Sequence, residues 1–569
     1  MDIKLVAING RFSHSSLALF HVRNELEEQC PGVCTEILQL TLRDPYYEVL
    51  LQLSRNRPGA IFFSAAVWNS DRVEELITDL HVLLPSCLLV VGGPQAELVA
   101  AGVGEDLCTV VWGAIEAVEK KFYEDLLQGT LKPRYGRSFF QLAEKRFSSP
   151  YREEDFGSHL QNRNIYYESS RGCPFSCTYC LSSAEHGIVH KPLSQVRQEL
   201  DQIMAHGPKV LRFVDRTFND RPERALALWQ LVLAYESDTL FHFEVAPDRF
   251  SEEMFRLLAT IAPGRFQFEI GIQSTHEPTL AAIERRIDPR LAAETVSRLV
   301  ALDTIHLHVD LILGLPYESE ETYLQSFADV FAMGPHYIQM GLLKLLPDTA
   351  ISRDAELFGY RACRRPPYAV LANQWLDAEG LQGLYWFSEG VEKFYNNRYF
   401  PSLWNYLRRR GEDGRSFFRR LVELSHEYRL FHLAVTQELL CTIITASLDG
   451  RVDRPLIFEL LAYDWLRCGY RTLPPCLGSR EAGEKKRTLK DSLYQQLPAD
   501  LPGFYGPKER SRFFRQSVFQ LFSPGALDEL GFAAQGAGCM AFVQEREASL
   551  LRLNRALLLP VSSLDEQRS

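Results

Sequence analysis

The chain contains no run of about 18 apolar residues, so nothing in it is long and apolar enough to span a membrane as a helix. It has no basic surplus either. Its 62 Lys and Arg stand against 73 Asp and Glu, a net charge of −11, which argues against non-specific nucleic-acid binding. The first residues, Met1 to Gly10, carry an acid at position 2 and an apolar run too short for a secretory leader. They read as a first β-strand, and a cytoplasmic location is expected. The 12 cysteines mostly lack any regular spacing and sit among apolar residues, as Cys87 and Cys441 do. Buried free thiols are a simpler account of them than disulfides. At 569 residues the chain is too long for one hydrophobic core and should divide into three or four domains.

One cysteine cluster does have ligand spacing. Arg171-Gly172-Cys173-Pro174-Phe175-Ser176-Cys177-Thr178-Tyr179-Cys180 places three thiols as C-x-x-x-C-x-x-C, directly after the aromatic run Ile165 to Tyr167. Soft thiolates on so short a loop can wrap one side of an iron–sulfur cluster. Three cysteines on a four-iron cluster leave one iron without a protein ligand, and an open coordination position points to chemistry rather than structure. The alternative is a zinc knuckle, which would need a fourth ligand such as His186 or His190.

Over residues 1–135, short apolar runs at 3–8, 37–40, 60–63, 87–91 and 109–112 alternate with helical patterns. This predicts a parallel, doubly wound (Rossmann-like) α/β sheet. Ligands of such sheets bind beyond the carboxyl ends of the strands. Those ends carry small or polar residues: Asn9-Gly10-Arg11-Phe12-Ser13-His14, Ser64-Ala65-Ala66, Gly92-Gly93-Pro94 and Gly113. Each alone is ordinary turn chemistry. Together they resemble the cobalamin-binding domain, in which a Ser after the third strand and a Gly-Gly after the fourth line the groove for the nucleotide tail. The resemblance implies cobalamin contacts at Asn9, Ser13, His14, Ser64, Trp68, Gly92, Gly93, Gly113 and Glu116. The family's D-x-H-x-x-G motif is absent. His14 lies in the corresponding loop without the preceding Asp, so it is either a cobalt ligand or a loop histidine. Trp68 is either a cover for the corrin or a core aromatic, and Glu116 falls in a turn that lacks the family's second glycine.

Residues 136–160 lose periodicity and read as a linker. From 161 to 360 the alternation resumes, with candidate strands at 165–169, 210–215, 240–245, 266–272, 307–313 and 336–343. Six β/α units predict a partial (β/α)6 TIM-like barrel, and the cysteine loop after its first strand falls at the functional end. With Tyr179 before the last cysteine, this arrangement resembles the radical S-adenosylmethionine (SAM) superfamily. The resemblance implies a 4Fe-4S cluster on Cys173, Cys177 and Cys180, with SAM chelating the open iron. By the same likeness Tyr179 contacts the adenine and Asp215, in Leu-Arg-Phe-Val-Asp, is a candidate for the methionine end. Glu244 and Gln273 fall at or beside the mouth, as does Glu269, which equally fits a pairing role. Gly314, in Gly-Leu-Pro-Tyr-Glu, supplies a backbone platform.

Beyond residue 360 the strand signals stop. Apolar spacing at 366–385, 414–447, 455–468 and 538–560 predicts a mainly α-helical domain over 361–569. The aromatic stretches 384–387 and 395–404 read as helix core or as a substrate wall, and Arg480 to Lys490 reads as a solvated loop. The whole order resembles a cobalamin-dependent radical SAM branch with a helical C-terminal domain. The expected activity is methylation of an unactivated carbon of a small molecule, with an external flavodoxin- or ferredoxin-type electron donor. A cobalamin-dependent rearrangement or cyclisation is the alternative, and a non-catalytic corrinoid and cluster-bearing sensor the third. No second cysteine cluster precedes the triad, which disfavours a methylthiotransferase.

Overall fold

The computed structural model describes residues 1–560 apart from 105, 184, 186, 479–481, 534, 535 and 548, with backbone alone for 482–486. The first sheet contains β1 (Asp2–Asn9), β2 (Cys34–Thr41), β3 (Ala60–Ser64), β4 (Leu88–Gly92), β5 (Thr109–Trp112) and β6 (Arg134–Gly136). All six run parallel in the order β2-β1-β3-β4-β5-β6. β1 is buried from Ile3 to Asn9, because both faces are covered. Ile3, Leu5 and Ala7 pack with the helices Leu17–Gln29 and Lys120–Gln128. Val6 and Ile8 pack with Tyr46–Ser54, Ser70–Leu83 and Ala96–Val103 on the other side. The five expected strands are present. β6 escapes a sequence reading because it has three residues, too few to show a period.

Residues 136–160 lie against this first layer. The short helix Glu153–Gly157 buries Asp155, whose carboxylate accepts bonds of 2.6 and 2.8 Å from the Arg23 guanidinium.

The second sheet contains β7 (Ile165–Tyr167), then, after the hairpin β8 (Ser170–Cys173) and β9 (Gly187–His190), β10 (Val210–Phe213), β11 (Leu240–Glu244), β12 (Phe266–Gln273), β13 (Ile305–Leu313) and β14 (Tyr337–Leu342). Its order, β14-β13-β12-β11-β10-β7, is again all parallel, an open six-stranded barrel. β13 alternates strictly. In Ile-His-Leu-His-Val-Asp-Leu-Ile-Leu every odd position is buried and every even one half-buried. The apolar set, including Phe243, Phe266 and Phe268, packs beneath the outer helices, where Trp229 of the helix Pro222–Leu233 meets it. The polar set, including His242, Glu244, Gln267, Glu269, His306, His308 and Asp310, faces the lumen.

The C-terminal third is mainly helical, with helices at Ala378–Phe394, Pro401–Arg409, Arg415–Glu427, Gln437–Ser447, Arg454–Arg467 and Ala482–Gln496. Three expectations are corrected. The segment 366–385 is helical only from Ala378, because Pro366-Pro367 lies between β15 (Arg361–Ala362) and β16 (Val370–Ala372). The segment 538–560 is an antiparallel pair, β18 (Gly538–Arg546) and β19 (Asn554–Leu558), joined to β17 (Val518–Phe522). Cys539, Ala541 and Val543 enter one core and Met540 and Phe542 another, so both faces are apolar and no alternation shows. Finally, the run 480–490 is helical from Ala482, while Arg480 lies outside the described residues. The aromatic stretches join the core: Phe387, Tyr395 and Trp404 are buried against Phe327, Phe331 and Phe418. No helix among the described residues is long and apolar enough to cross a membrane.

Candidate functional site

The cysteine loop is held from three sides. Asp215, just beyond β10, is buried and accepts bonds from the Ser169 backbone N–H (3.0 Å) and from the Ser169 and Ser170 hydroxyls (2.6 Å each). These bonds fix the strand that delivers Cys173. Gly172 has φ +99°, and a Cβ there would stand 2.1 Å from the Gly187 carbonyl oxygen, so the Arg-Gly-Cys turn needs glycine. Further along, the Thr178 N–H donates to Ile283 O and the Ile351 N–H to Thr178 O, both at 3.0 Å.

Cys173, Cys177 and Cys180 open together onto a cavity of about 180 Å³ at the carboxyl ends of the barrel strands. Tyr179, Glu244, Glu269, Gln273, Arg285 and Asp310 also line it. The charges are unevenly matched. Arg285 donates to the Gly271 carbonyl (2.6 Å) and lies 3.9 Å from the Cys177 sulfur. Burial pushes the Cys177 thiol up, and Arg285 opposes that. Burial drives Glu244 up to about 7, with Arg216 opposing and Glu269 adding. Asp310 is raised well above its ordinary value by burial and then by Glu269. Glu269 itself is held low by its 3.1 Å contact with His242. The Gln273 Oε1 is buried with no partner and Gln273 has φ +73°, so a polar group in the wall is left without a protein partner.

This donor set fits an iron–sulfur cluster better than zinc. No fourth cysteine or histidine lines the cavity among the described residues. His190 is engaged with Asp220 at 3.0 Å, and His186 lies outside the described residues.

A second cavity, of about 300 Å³, lies at the strand ends of the first sheet. Ser64, Gly92, Gly93, Gly113 and Glu116 line it, against apolar walls from Leu17, Val22, Val90 and Val111. Gly93 (φ +98°) and Gly113 (φ +77°) are obligatory: a Cβ would approach Ala65 O to 2.5 Å and Arg137 O to 2.6 Å. The floor is polar and built from both domains. Arg171 makes two bonds to Glu168 (2.7 and 3.0 Å) and one to Glu116 (3.1 Å), and its guanidinium stacks on Phe139 at 4.4 Å. Burial alone would raise Glu116, but His21 at 3.4 Å and Arg171 outweigh it and keep it low. The wall of this second cavity is thus tied to a residue two positions before Cys173.

Residues 167–330 match the Radical SAM superfamily, and residues 356–526 match a protein of unknown function, DUF4080. The central barrel is a radical SAM domain. Among curated proteins the chain is similar to 2-(S-pantetheinyl)-carbapenam-3-carboxylate methyltransferase of Streptantibioticus cattleyicolor, at 24% identity over 292 residues. That match covers 45% of this chain and 41% of the relative, so the chain spans about two fifths of that relative's length. In fold it resembles the cobalamin-dependent S-adenosylmethionine radical enzyme OxsB, with TM-score 0.57, 13% identity and coverage of 90% of this chain and 83% of that one. It also resembles the radical S-adenosylmethionine methyltransferase TsrM from Kitasatospora setae, with TM-score 0.53, 16% identity and coverage of 75% and 99%.

Within the radical SAM domain, Tyr179, Glu244 and Gln273 share the cysteine cavity, whereas Asp215 does not line it and is spent on Ser169 and Ser170. Gly314 (φ +95°) lies outside the cavity wall, and its carbonyl accepts from Tyr360 Oη (2.9 Å) and Asn373 Nδ2 (3.0 Å). Asn9, Ser13, His14 and Trp68 do not line the cavity at the first sheet. The Asn9 side-chain nitrogen is buried without a partner, and the Ser13 carbonyl accepts from the Asn164 N–H at 2.7 Å. The His14 Nδ1 is 2.7 Å from the Tyr166 hydroxyl. Trp68 is 61% exposed and donates to the Ile8 carbonyl at 3.2 Å, so it is not a core aromatic.

Sequence reasoning missed Arg285, Asp310 and Thr217, whose hydroxyl is 3.5 Å from the Cys173 sulfur, and gave Arg171 no role of its own. Asp310 carried a signal, since it continues the alternation of His306 and His308. Arg285 carried none. It reaches the thiols only because the chain after β12 turns back over the mouth.

Proposed function

We propose that this chain is a cobalamin-dependent radical SAM enzyme that methylates an unactivated carbon of a small-molecule substrate. One observation carries the reading. A single chain presents a three-thiol cavity at the strand ends of one parallel sheet and a glycine-walled cavity at those of another, with the Arg171 to Glu116 contact between them. The likeness in fold to OxsB and TsrM, and the methyltransferase activity in the name of the curated relative, support the same reading.

In this reading Cys173, Cys177 and Cys180 hold a 4Fe-4S cluster, with Tyr179, Glu244 and Gln273 available to SAM, while Gly314 lies outside that cavity with its carbonyl already bonded. Ser64, Gly92, Gly93, Gly113 and Glu116 enclose the nucleotide tail of cobalamin. A cavity of about 300 Å³ is too small for the whole cofactor, and Asn9, Ser13, His14 and Trp68 at the strand ends would contact the corrin. Once bound, these groups supply a 5′-deoxyadenosyl radical for hydrogen abstraction and a methyl group for the resulting carbon radical. The protein's own part is placement and electrostatics. Asp215 locks the loop that carries the thiols. Arg285 sets a positive charge beside Cys177, where it offsets the negative charge of thiolate ligands. Glu244, with its carboxyl near 7, can serve as a hydrogen-bond donor or acceptor close to neutrality. Walls that hold reactants close and keep water out are what a radical step requires. The electron comes from an external flavodoxin- or ferredoxin-type donor.

The test is anaerobic reconstitution with cobalamin, reductant and methyl-labelled SAM, followed by mass analysis of a metabolite extract. The proposal expects 5′-deoxyadenosine together with a product heavier by one labelled methyl group. Deoxyadenosine with an unlabelled, rearranged product would assign the alternative chemistry. The absence of any SAM cleavage would leave a binding or sensor protein.

A further inference from the structure

At the opposite end of the barrel from the cysteines lies a cavity of about 330 Å³. It forms between the loops that lead into β13 and β14 and the helix Pro401–Arg409, and it lies within the size range of small-molecule sites. Its charge balance differs from that of its surroundings. In the adjoining cavity, which shares Asp303, Pro401, Asn405 and Leu551, both arginines are neutralised: Arg409 pairs with Glu529 at 2.6 Å and Arg467 with Glu547. Arg398 and Arg408, on the wall of the first, make no ion pair with any described carboxylate.

Arg398 is half-buried and its Nη1 is fully buried without a hydrogen-bond partner. Its backbone, φ +58°, sits in the left-handed region that a non-glycine residue adopts at a cost. Nothing on its own side compensates the buried charge, which makes an unliganded guanidinium expensive there. Arg408 donates to the Tyr395 hydroxyl (3.2 Å) and to Asn405, and lies over the Phe331 ring at 5.3 Å. His336 completes the basic wall. Its Nδ1 accepts the Leu307 N–H at 3.1 Å, so the neutral ring carries its proton on Nε2 as a donor. Asp303 is the acidic group on the wall, and burial raises its carboxyl above the ordinary range.

We infer that this cavity is a binding site for a small anionic ligand, whose carboxylate or phosphate oxygens are received by Arg398 and Arg408. A guanidinium fork matches either oxyanion in a bidentate fashion, and the site asks for no other chemistry. Its position makes it separate from both the cysteine cavity and the cavity of the first sheet, so the inference does not depend on the function proposed above.

Titration calorimetry on the reconstituted full chain tests it, with inorganic phosphate and citrate as probes and chloride holding the ionic strength constant. The expected result is one saturable site per chain for at least one probe, with the tighter probe naming phosphate or carboxylate as the class. Arg398→Gln and Arg408→Gln should each weaken binding by about tenfold or more, since each removes a charge-assisted donor pair. Arg408→Lys, which keeps the charge but loses the fork, should weaken it less, and Cys177→Ala should leave it unchanged. The absence of saturable binding by both probes in the wild-type chain would overturn the inference. So would unaltered binding in a natively folded Arg398→Gln variant, and if that variant does not fold, unaltered binding in both Arg408 variants decides in the same way.

Discussion

The two cavities at the strand ends of the two parallel sheets are built by opposite means. The first is defined by missing side chains: Ser64, Gly92, Gly93 and Gly113 open space between apolar walls, and its charged groups are confined to the floor. The second is crowded with functional groups, three thiols, three carboxylates and two guanidiniums around about 180 Å³. A site of the first kind selects by shape and tolerates little added volume. One of the second kind selects by charge and coordination, and its properties shift with each ionisable neighbour.

Breaking the shape-defined cavity should have the largest effect. In Gly93→Val the new Cβ would stand 2.5 Å from the Ala65 carbonyl oxygen, and the backbone must hold φ +98°. We expect a stability loss of about 2–3 kcal/mol and loss of corrinoid retention, with iron content unchanged. Denaturant unfolding and the corrinoid absorption of the purified protein read both. A variant that retains cobalamin normally would place that ligand elsewhere.

The charge-defined cavity should answer more gradually. Arg285→Gln removes the cation 3.9 Å from Cys177 while a polar side chain remains. Cluster assembly should persist, with the reduction potential more negative by on the order of tens of millivolts in a spectroelectrochemical titration. A shift in the positive direction would contradict the role given to Arg285.

The smallest effect concerns Glu244 in the metal-free chain. Burial raises its carboxyl from 4.5 to about 7, so the folded protein binds this proton more tightly than the unfolded chain does. The stability linked to it is therefore fully present below about 4.5 and is lost as pH rises through about 7. Glu244→Gln should flatten that limb, matching wild type in acid and exceeding it in melting temperature above neutrality. Identical pH profiles would mean that the carboxyl is solvated and unshifted.

The parts that were legible in the sequence share a cause. Residues 3–8, 60–63 and 87–91 are almost wholly apolar because their strands are covered on both sides, and small residues at their ends mark where the chain must turn beside a cavity. The Cys173, Cys177 and Cys180 spacing is local, so it survives without knowledge of the fold. Residues 539–543 were apolar for the same reason as β1, yet helix and strand cannot be told apart in such a run. Asp215 was expected at the cofactor, but its reach is set by Ser169 and Ser170, two residues whose proximity only the folded hairpin reveals. Arg171 was visible in the motif, whereas its partner Glu116 lies 55 positions away across a domain boundary. Arg398 falls within the aromatic stretch 395–404, where sequence alone gives it no role. Its lack of a counter-charge is a property of the packing around it.

The proposed function requires the three thiols to hold a cluster with an open iron that SAM occupies. Low-temperature electron paramagnetic resonance of the anaerobically reconstituted, reduced chain, recorded with and without SAM, tests this most directly. It predicts about four irons per chain, no zinc, and a reduced-cluster signal that shifts when SAM is added. Zinc in place of iron, or a cluster signal indifferent to SAM, would contradict it.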